Sequence, residues 1–324
     1  MRSLRRSVID IGTNSVKLLV ADVADGGAEP VLECSEQTRL GRGFYETHLL
    51  QRGAVAHTAR VVARFALQAR ELGASPPRVI ATSAARDARN PEQLLIAIHQ
   101  SCGLSVEIIP GEQEADWAFV GVRSDRRLRD APLLILDVGG GSTEFILGNG
   151  AARLFSQSFP LGTVRMLERL KPGDAPGPDD LERGLVFVGD YLTSCVVPAV
   201  ASVWALLAHE KPQLVGTGGT ASVLAALELG LKSFDRERIE SVSLTRSQVR
   251  SQVERLWGLP LTERRRLPGL PPDRADVMLT GAVIYHAVLS HFDLPTLRVS
   301  TRGMRFGAVL DDASLSLRTR PVGG

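Results

Sequence analysis

Short apolar runs and their punctuation repeat along the chain. Val8-Ile-Asp-Ile-Gly-Thr-Asn-Ser-Val-Lys-Leu-Leu-Val20 and Ile135-Leu-Asp-Val-Gly-Gly-Gly-Ser-Thr-Glu-Phe-Ile-Leu147 align without gaps at an offset of 127 residues, with Asp, Gly and Ser at matching positions. Each copy reads as a buried strand, an Asp at the strand end, a turn of small residues and a second β-rich run, which is a hairpin pattern. Two copies imply two similar domains. After the first copy, a strand over Val31–Leu40 and a helix over Ala54–Leu72 are expected, the helix from the near-helical spacing of Val61, Val62, Phe65 and Leu72. A buried strand at Arg78–Ala81, a helix after Pro91, a strand at Ser105–Ile109 and a helix opening at Gly111 follow. Strands alternating with helices make this an α/β protein.

The charged, apolar-poor segment Arg123–Asp130 reads as the passage between domains. Beyond it the scheme repeats: hairpin strands to about Ser158, helices from about Gly162 and Pro178, and a strand at Gln213–Val215 entering the turn Gly216-Thr-Gly-Gly-Thr220. A loop at Pro268–Pro272, an apolar helix at Val277–Leu289, a strand at Leu297–Ser300 and a short helix at Met304–Leu310 complete the pattern. The apolar stretch Val196–Ala208 contains Pro198 and is shorter than the roughly 20 residues that span a bilayer, so it reads as a core helix.

The 324 residues suit two domains, and 44% hydrophobic with 23% charged residues excludes disorder as the main state. A net charge of +2 is too small for bulk attraction to nucleic acid or to a membrane surface. Asp10 interrupts the N-terminal apolar run before a signal-peptide core forms, so the expected location is cytoplasmic. Three widely spaced cysteines give neither a disulfide framework nor a CxxC metal site. Only four of the 38 basic residues are lysine, and an arginine bias suits phosphate ligands as well as reflecting base composition.

Chemistry concentrates at the turns. Asp10 and Asp137 stand where buried strands enter turns, an expensive place for a carboxylate unless it meets a cation, a donor or water. The turns Gly12-Thr13-Asn14-Ser15 and Gly139-Gly140-Gly141-Ser142 offer backbone N–H groups that can cradle phosphate oxygens, or serve as ordinary tight hairpins. Gly218, Gly219 and Thr220, between a strand and a helix, make a third loop of this kind without the Lys of a Walker motif. Ser83 and Ser142 have no nucleophile elbow around them, so direct attack by water is expected rather than covalent catalysis. His286 and His291 lack the partner set of a metal site.

These residues together resemble the exopolyphosphatase and guanosine pentaphosphate phosphohydrolase family, within the superfamily of actin, sugar kinases and the large heat-shock chaperones. The resemblance rests on Asp10–Ser15, Ala81-Thr-Ser-Ala-Ala-Arg86 with Asn90, Gly111-Glu-Gln-Glu-Ala115, Asp137–Glu144, Gly216–Thr220 and Ser300-Thr-Arg-Gly-Met-Arg305. It implies two ribonuclease-H-like domains around a central cleft, over residues 1–126 with 303–324 and over 127–302, the last helix returning to the first domain. It assigns the catalytic base to Glu114, with Glu112 as a rival because position 113 is Gln where the family has Glu. Asp137 and Glu144 resemble the family's magnesium ligands, Mn2+ being the alternative ion, and Asp10 joins through water. Arg86 resembles its phosphate-binding arginine, whereas Lys17, Arg39, Arg42 and Arg89 read more readily as surface charges.

The implied activity is release of orthophosphate from the end of inorganic polyphosphate, with guanosine pentaphosphate as the second substrate. A small-molecule kinase or a non-catalytic polyphosphate or alarmone sensor are the rivals, and homodimer formation is left open. Longer members carry a further C-terminal helical domain, which this chain is expected to lack.

Overall fold

The computed structural model describes residues 3–207 and 211–311, so residues 312–324 of the expected first domain lie outside it. Both halves begin with the repeated hairpin. In the first, β1 (Leu4–Ile11) and β2 (Val16–Ala24) pair antiparallel, β3 (Gly27–Glu36) joins β2, and β4 (Arg78–Ala81) and β5 (Val106–Ile108) extend the other edge in parallel. The order is β3-β2-β1-β4-β5. In the second half, β6 (Pro132–Val138), β7 (Thr143–Asn149) and β8 (Ala152–Phe159) form the meander, and β9 (Gln213–Thr217) lies parallel to β6. The order is β10-β11-β9-β6-β7-β8, with β10 at Ser243–Thr245 and β11 at Thr296–Val299.

The third strand of the first half starts and ends about four residues before the expected Val31–Leu40, because Gly26, in the left-handed region at φ 73°, turns the chain straight back from β2. β10 and the helix Arg246–Trp257 had no expected counterpart; Thr245 caps that helix through Gln248 N–H at 3.2 Å. The Gly216–Thr220 turn is tighter than expected: β9 runs through Thr217 and the helix starts at Gly218.

Val196–Ala208 does not form a core helix; Ala208 lies outside the described residues, and the remainder extends the Pro178–Tyr191 helix to Leu206 through one wider turn at Leu192–Val196. This 29-residue helix has a mean hydropathy of 1.6 over its most apolar window and is long and apolar enough to cross a membrane. One side, through Val188, Leu192, Val196 and Val200, packs into the second core, but Val186 and Leu206 are 54% and 74% exposed. The outer side is uncovered among the described residues, so the apolar run flanks the core.

The two sheets share a helical layer. The helix Gly111–Arg123 and the helix Met304–Leu310 cross between them, and one apolar cluster contains Val8, Leu19 and Ile80 of the first sheet, Trp117, Val122, Phe306 and Val309 of the helices, and Ile135, Ile146 and Val215 of the second sheet. Two glycines permit the crossing: a Cβ on Gly121 would overlap the Gly303 carbonyl, and one on Gly307 the Trp117 carbonyl. Gly307→Ala therefore forces two backbones apart in a buried layer. We expect a loss of about 1–3 kcal/mol, within the cost of overpacking, seen as a lowered thermal midpoint; an unchanged midpoint would show that the crossing relaxes freely.

Candidate active site

The repeated hairpins give the site its frame. Each turn is closed by the same backbone hydrogen bond, Gly12 N–H to Ser15 O at 3.0 Å and Gly139 N–H to Ser142 O at 2.9 Å. The registers match as well, with Asp10 opposite Lys17 and Asp137 opposite Glu144. Cross-strand partners project to the same face of a sheet, so each Asp looks across at its partner. The backbones agree; the charges do not. In the first hairpin the Asp10 carboxylate lies 4.0 Å from the Lys17 ammonium, whereas the second hairpin puts two carboxylates together.

Parallel pairing brings in the other turns. β4 ends beside β1 and delivers Thr82 and Ser83, and β9 ends beside β6 with Thr217 opposite Asp137, delivering Gly218–Thr220. The resulting cleft is lined by Asp10, Gly12, Thr13, Asn14, Ser15, Glu114, Asp137, Gly139, Gly140, Gly141, Ser142, Gly218, Gly219 and Thr220, and by Lys17, Arg274 and Arg305. Two adjacent glycines divide its charges: a Cβ on Gly218, at φ 77°, would overlap the Asp137 carboxylate, and one on Gly219 would overlap the Arg274 guanidinium. Arg86 lines an adjoining cleft of about 480 Å3 with Ser83, Ser142, Ser158 and Arg165.

Glu114 and Glu112 separate clearly in space. Glu114 projects into the cleft with its side chain 12% exposed, accepting from Arg86 Nη1 at 3.3 Å. Glu112 is exposed and lines the adjoining cleft instead. Burial pushes the Glu114 carboxyl well above the usual range, Glu144 adding to the effect and Arg86 opposing it. Burial also raises Asp10 and Asp137, each opposed by Lys17 and Arg305. Glu144 is raised to about 7, first by burial and then by Asp137, although Ser142 and Ser158 hydroxyls donate to its Oε1 at 2.8 and 2.7 Å.

A dication fits this set. Glu144 Oε2 accepts none of those bonds, Asp10 Oδ1 is buried without a partner, and the Asp137–Glu144 pair lacks the lysine of its counterpart. Among the described residues no group of three or more His, Cys, Asp or Glu is so placed that it could hold a metal ion by itself. Magnesium retains waters and takes one or two carboxylates with phosphate oxygens, so two carboxylates suffice.

Several side chains reach the site without having been singled out. Arg165 donates from Nε to Gly141 O at 2.8 Å and from Nη2 to Asp87 at 2.9 Å, with its guanidinium 4.2 Å from the centre of the Tyr45 ring. Arg274 and Tyr45 stand outside the repeated glycine turns, and only tertiary packing brings them there, Arg274 against Gly219 and the Tyr45 hydroxyl against Gly141. Lys17 belongs to the cleft, not to the surface. Arg39 instead bridges the halves: Nη1 donates to Asp276 at 2.7 Å, and Nη2 to Asp273 O at 3.0 Å. Nearby, the Glu168 carboxylate accepts from Gly43 and Tyr45 N–H at 2.6 and 3.2 Å, and Lys171 pairs with Glu46 at 2.6 Å. Arg42 and Arg89 do not line the cleft.

Residues 19–316 match the model of the Ppx/GppA phosphatase family. The chain belongs to that family. It is 31% identical to exopolyphosphatase 2 of Mycobacterium tuberculosis over 88% of this chain and 89% of the relative. Exopolyphosphatase 1 of the same organism is 27% identical, with 99% and 95% covered. Among solved structures, an exopolyphosphatase-like protein superposes with a TM-score of 0.87 at 29% identity, covering 98% of this chain and all of the other. The Aquifex aeolicus PPX-GPPA enzyme gives 0.75 at 30% identity, covering 95% and 99%. The two-sheet α/β architecture is that of this Ppx/GppA family, the actin-like two-domain fold.

The carboxylate cluster has a measurable cost. A carboxyl whose pKa is higher folded than unfolded contributes stability below its unfolded value and loses it as the pH rises through the folded one, here about 7 for Glu144. In excess chelator the thermal midpoint should therefore fall between pH 5 and pH 8. Glu144→Gln should flatten that fall and melt a few degrees higher at pH 8. Parallel pH profiles for the two proteins would show that the Glu144 charge is already compensated.

Proposed function

We propose that this chain is a magnesium-dependent exopolyphosphatase that removes the terminal phosphate of inorganic polyphosphate as orthophosphate, acting in the cytoplasm. The observation that carries the reading is the inverted charge of the second hairpin. Asp137 and Glu144 occupy a backbone frame that is neutralised by Lys17 in the first hairpin, and Asp137 lines the cleft with three phosphate-cradling turns and the buried Glu114, with Glu144 opposite it in the strand register. The reading assigns residues 1–126 with 303–324 to one lobe and 127–302 to the other, with the cleft between them.

Asp137 and Glu144 would hold the magnesium ion, Asp10 acting through water, and the ion supplies neutralisation of charge on the phosphate oxygens. Backbone N–H groups of Gly12–Ser15, Gly139–Ser142 and Gly218–Thr220 would orient the terminal phosphates, while Arg86 offers a fork for the following ones. Glu114 takes a proton from the attacking water as the new P–O bond forms and the anhydride P–O bond breaks. The leaving group is the shortened polyphosphate. Burial suits Glu114 to this role because its raised proton affinity makes it a stronger base than an exposed carboxylate.

The test is phosphate release from long and short polyphosphate, guanosine pentaphosphate and ATP, run side by side with magnesium. Polyphosphate should be the best substrate, and release should stop in excess chelator. Tight binding with no release from any of the four would instead identify a sensor, and transfer from ATP to an acceptor would identify a kinase.

Glu114→Gln keeps size and polarity but cannot accept the proton, so kcat should fall by roughly 10²- to 10⁴-fold with KM little changed. Glu112→Gln should stay close to wild type, because its carboxylate is exposed outside the phosphate cleft. A dead Glu112→Gln beside an active Glu114→Gln would move the base to the adjoining cleft.

A further inference from the structure

The adjoining cleft opens from the phosphate cleft at Ser83 and Ser142, which line both spaces. Arg86 and Arg165 bring guanidiniums to it, one from each half of the chain. They meet at one carboxylate. Asp87 Oδ2 accepts from Arg165 Nη2 at 2.9 Å, and Asp87 Oδ1 lies 3.9 Å from Arg86 Nε. Each arginine is also held by other groups. Arg165 donates to Gly141 O and lies over the Tyr45 ring, and Arg86 Nη1 donates to Ile109 O at 3.1 Å and to Glu114 at 3.3 Å. Neither arginine therefore depends on Asp87 to keep its place.

Asp87 is the more open member of both pairs, its side chain 36% exposed against 24% for Arg86 and 26% for Arg165. It ends the short helix Ser83–Arg86, its N–H donating to Ser83 O at 2.9 Å, so rotation of the side chain alone takes the carboxylate into water. An ion pair this open contributes little to stability. A phosphate carries more charge than a carboxylate and accepts charge-assisted bonds from a guanidinium fork. A carboxylate shared by two guanidiniums thus occupies a position that suits a phosphate and yields to one.

We propose that Asp87 is a specificity-determining residue, a built-in stand-in for a substrate phosphate between Arg86 and Arg165, which polyphosphate displaces when it is long enough to reach the adjoining cleft. The inference rests on the exopolyphosphatase reading for the direction of the chain, with its terminal phosphates in the phosphate cleft. Free orthophosphate competes with Asp87 only at its bulk concentration, whereas a phosphate tethered to a bound terminal group competes at a high effective concentration. The carboxylate therefore keeps small anions off the two arginines and selects for length. Glu112 lines the same cleft without an ion pair to either arginine among the described residues, so it carries the same charge without that role.

Binding to the full-length chain with magnesium is measured by calorimetry in a Glu114→Gln background, so that the ligand is not consumed, with imidodiphosphate and long-chain inorganic polyphosphate as probes. Asp87→Asn keeps the shape and removes the charge. It should tighten long-chain binding roughly fivefold and leave imidodiphosphate within about twofold. With Glu114 restored, the KM for polyphosphate should fall by a similar factor. Glu112→Gln removes the same charge from the same cleft but releases no guanidinium, so both probes should stay within about twofold of the background. Adding Arg165→Gln should shrink the Asp87→Asn gain below about twofold, as expected for coupled residues. Weaker long-chain binding by Asp87→Asn would make the residue a support for the arginines and overturn the proposal. Equal tightening of both probes, an equal gain from Glu112→Gln or an undiminished gain without Arg165 would overturn it too. The same length-dependent gain in a chain that releases no phosphate from polyphosphate would support Asp87 in this role and overturn the hydrolase reading instead.

Discussion

The second hairpin pairs two carboxylates across its strands where the first pairs a carboxylate with a lysine, and the surrounding structure is arranged around that excess negative charge. A pair of buried anions survives in a fold only where donors, distant cations or a bound ion offset the lost hydration. Ser142 and Ser158 supply donors to Glu144, and Lys17 and Arg305 supply attraction from the opposite hairpin and the last helix. The remaining deficit is what a divalent ion and a phosphate chain would fill together. Stability and chemistry therefore oppose each other at this position.

Such a site works only if the two hairpins keep a fixed relation, and the shared helical layer provides it. Glu114 stands on the helix that packs against both sheets, so the residue proposed as the base is referenced to the Asp10 hairpin and the Asp137 hairpin at once. Gly121 and Gly307 set how closely that helix and the last one approach. A shift at this crossing would carry Glu114 with it, which ties backbone packing at Gly121 and Gly307 to the geometry of water attack.

Much of this was legible in the sequence because the informative signals were local. The gapless repeat at 127 residues announced both hairpins, and its two Asp-containing turns together with Gly216–Thr220 announced three walls of the cleft. Position 113 carries Gln where the family has Glu, so the chain alone could not separate Glu112 from Glu114; helix rotation does, turning one into the cleft and the other out. Lys17 looked like a surface charge until the register set it opposite Asp10. Arg165, Arg274 and Tyr45 left no local signature, since their roles arise from contacts between distant segments. The apolar run at Val196–Ala208 misled for a related reason: hydropathy reports composition, and which side of a helix is covered depends on tertiary neighbours.

The contacts between residues 39–47 and the second half form a strap at one rim of the cleft. Arg39 to Asp276 and Lys171 to Glu46 are exposed or half-exposed charge pairs, and Glu168 holds two backbone N–H groups of the same segment. Exposed pairs weaken as added ions screen them, with a Debye length of about 8 Å at physiological ionic strength and about 3 Å at 1 M salt. The strap is thus a fastening whose grip depends on the ionic medium. A polyanion arriving with its own counterions would alter that medium at the rim, so the charge of such a ligand would itself weaken the fastening beside the cleft.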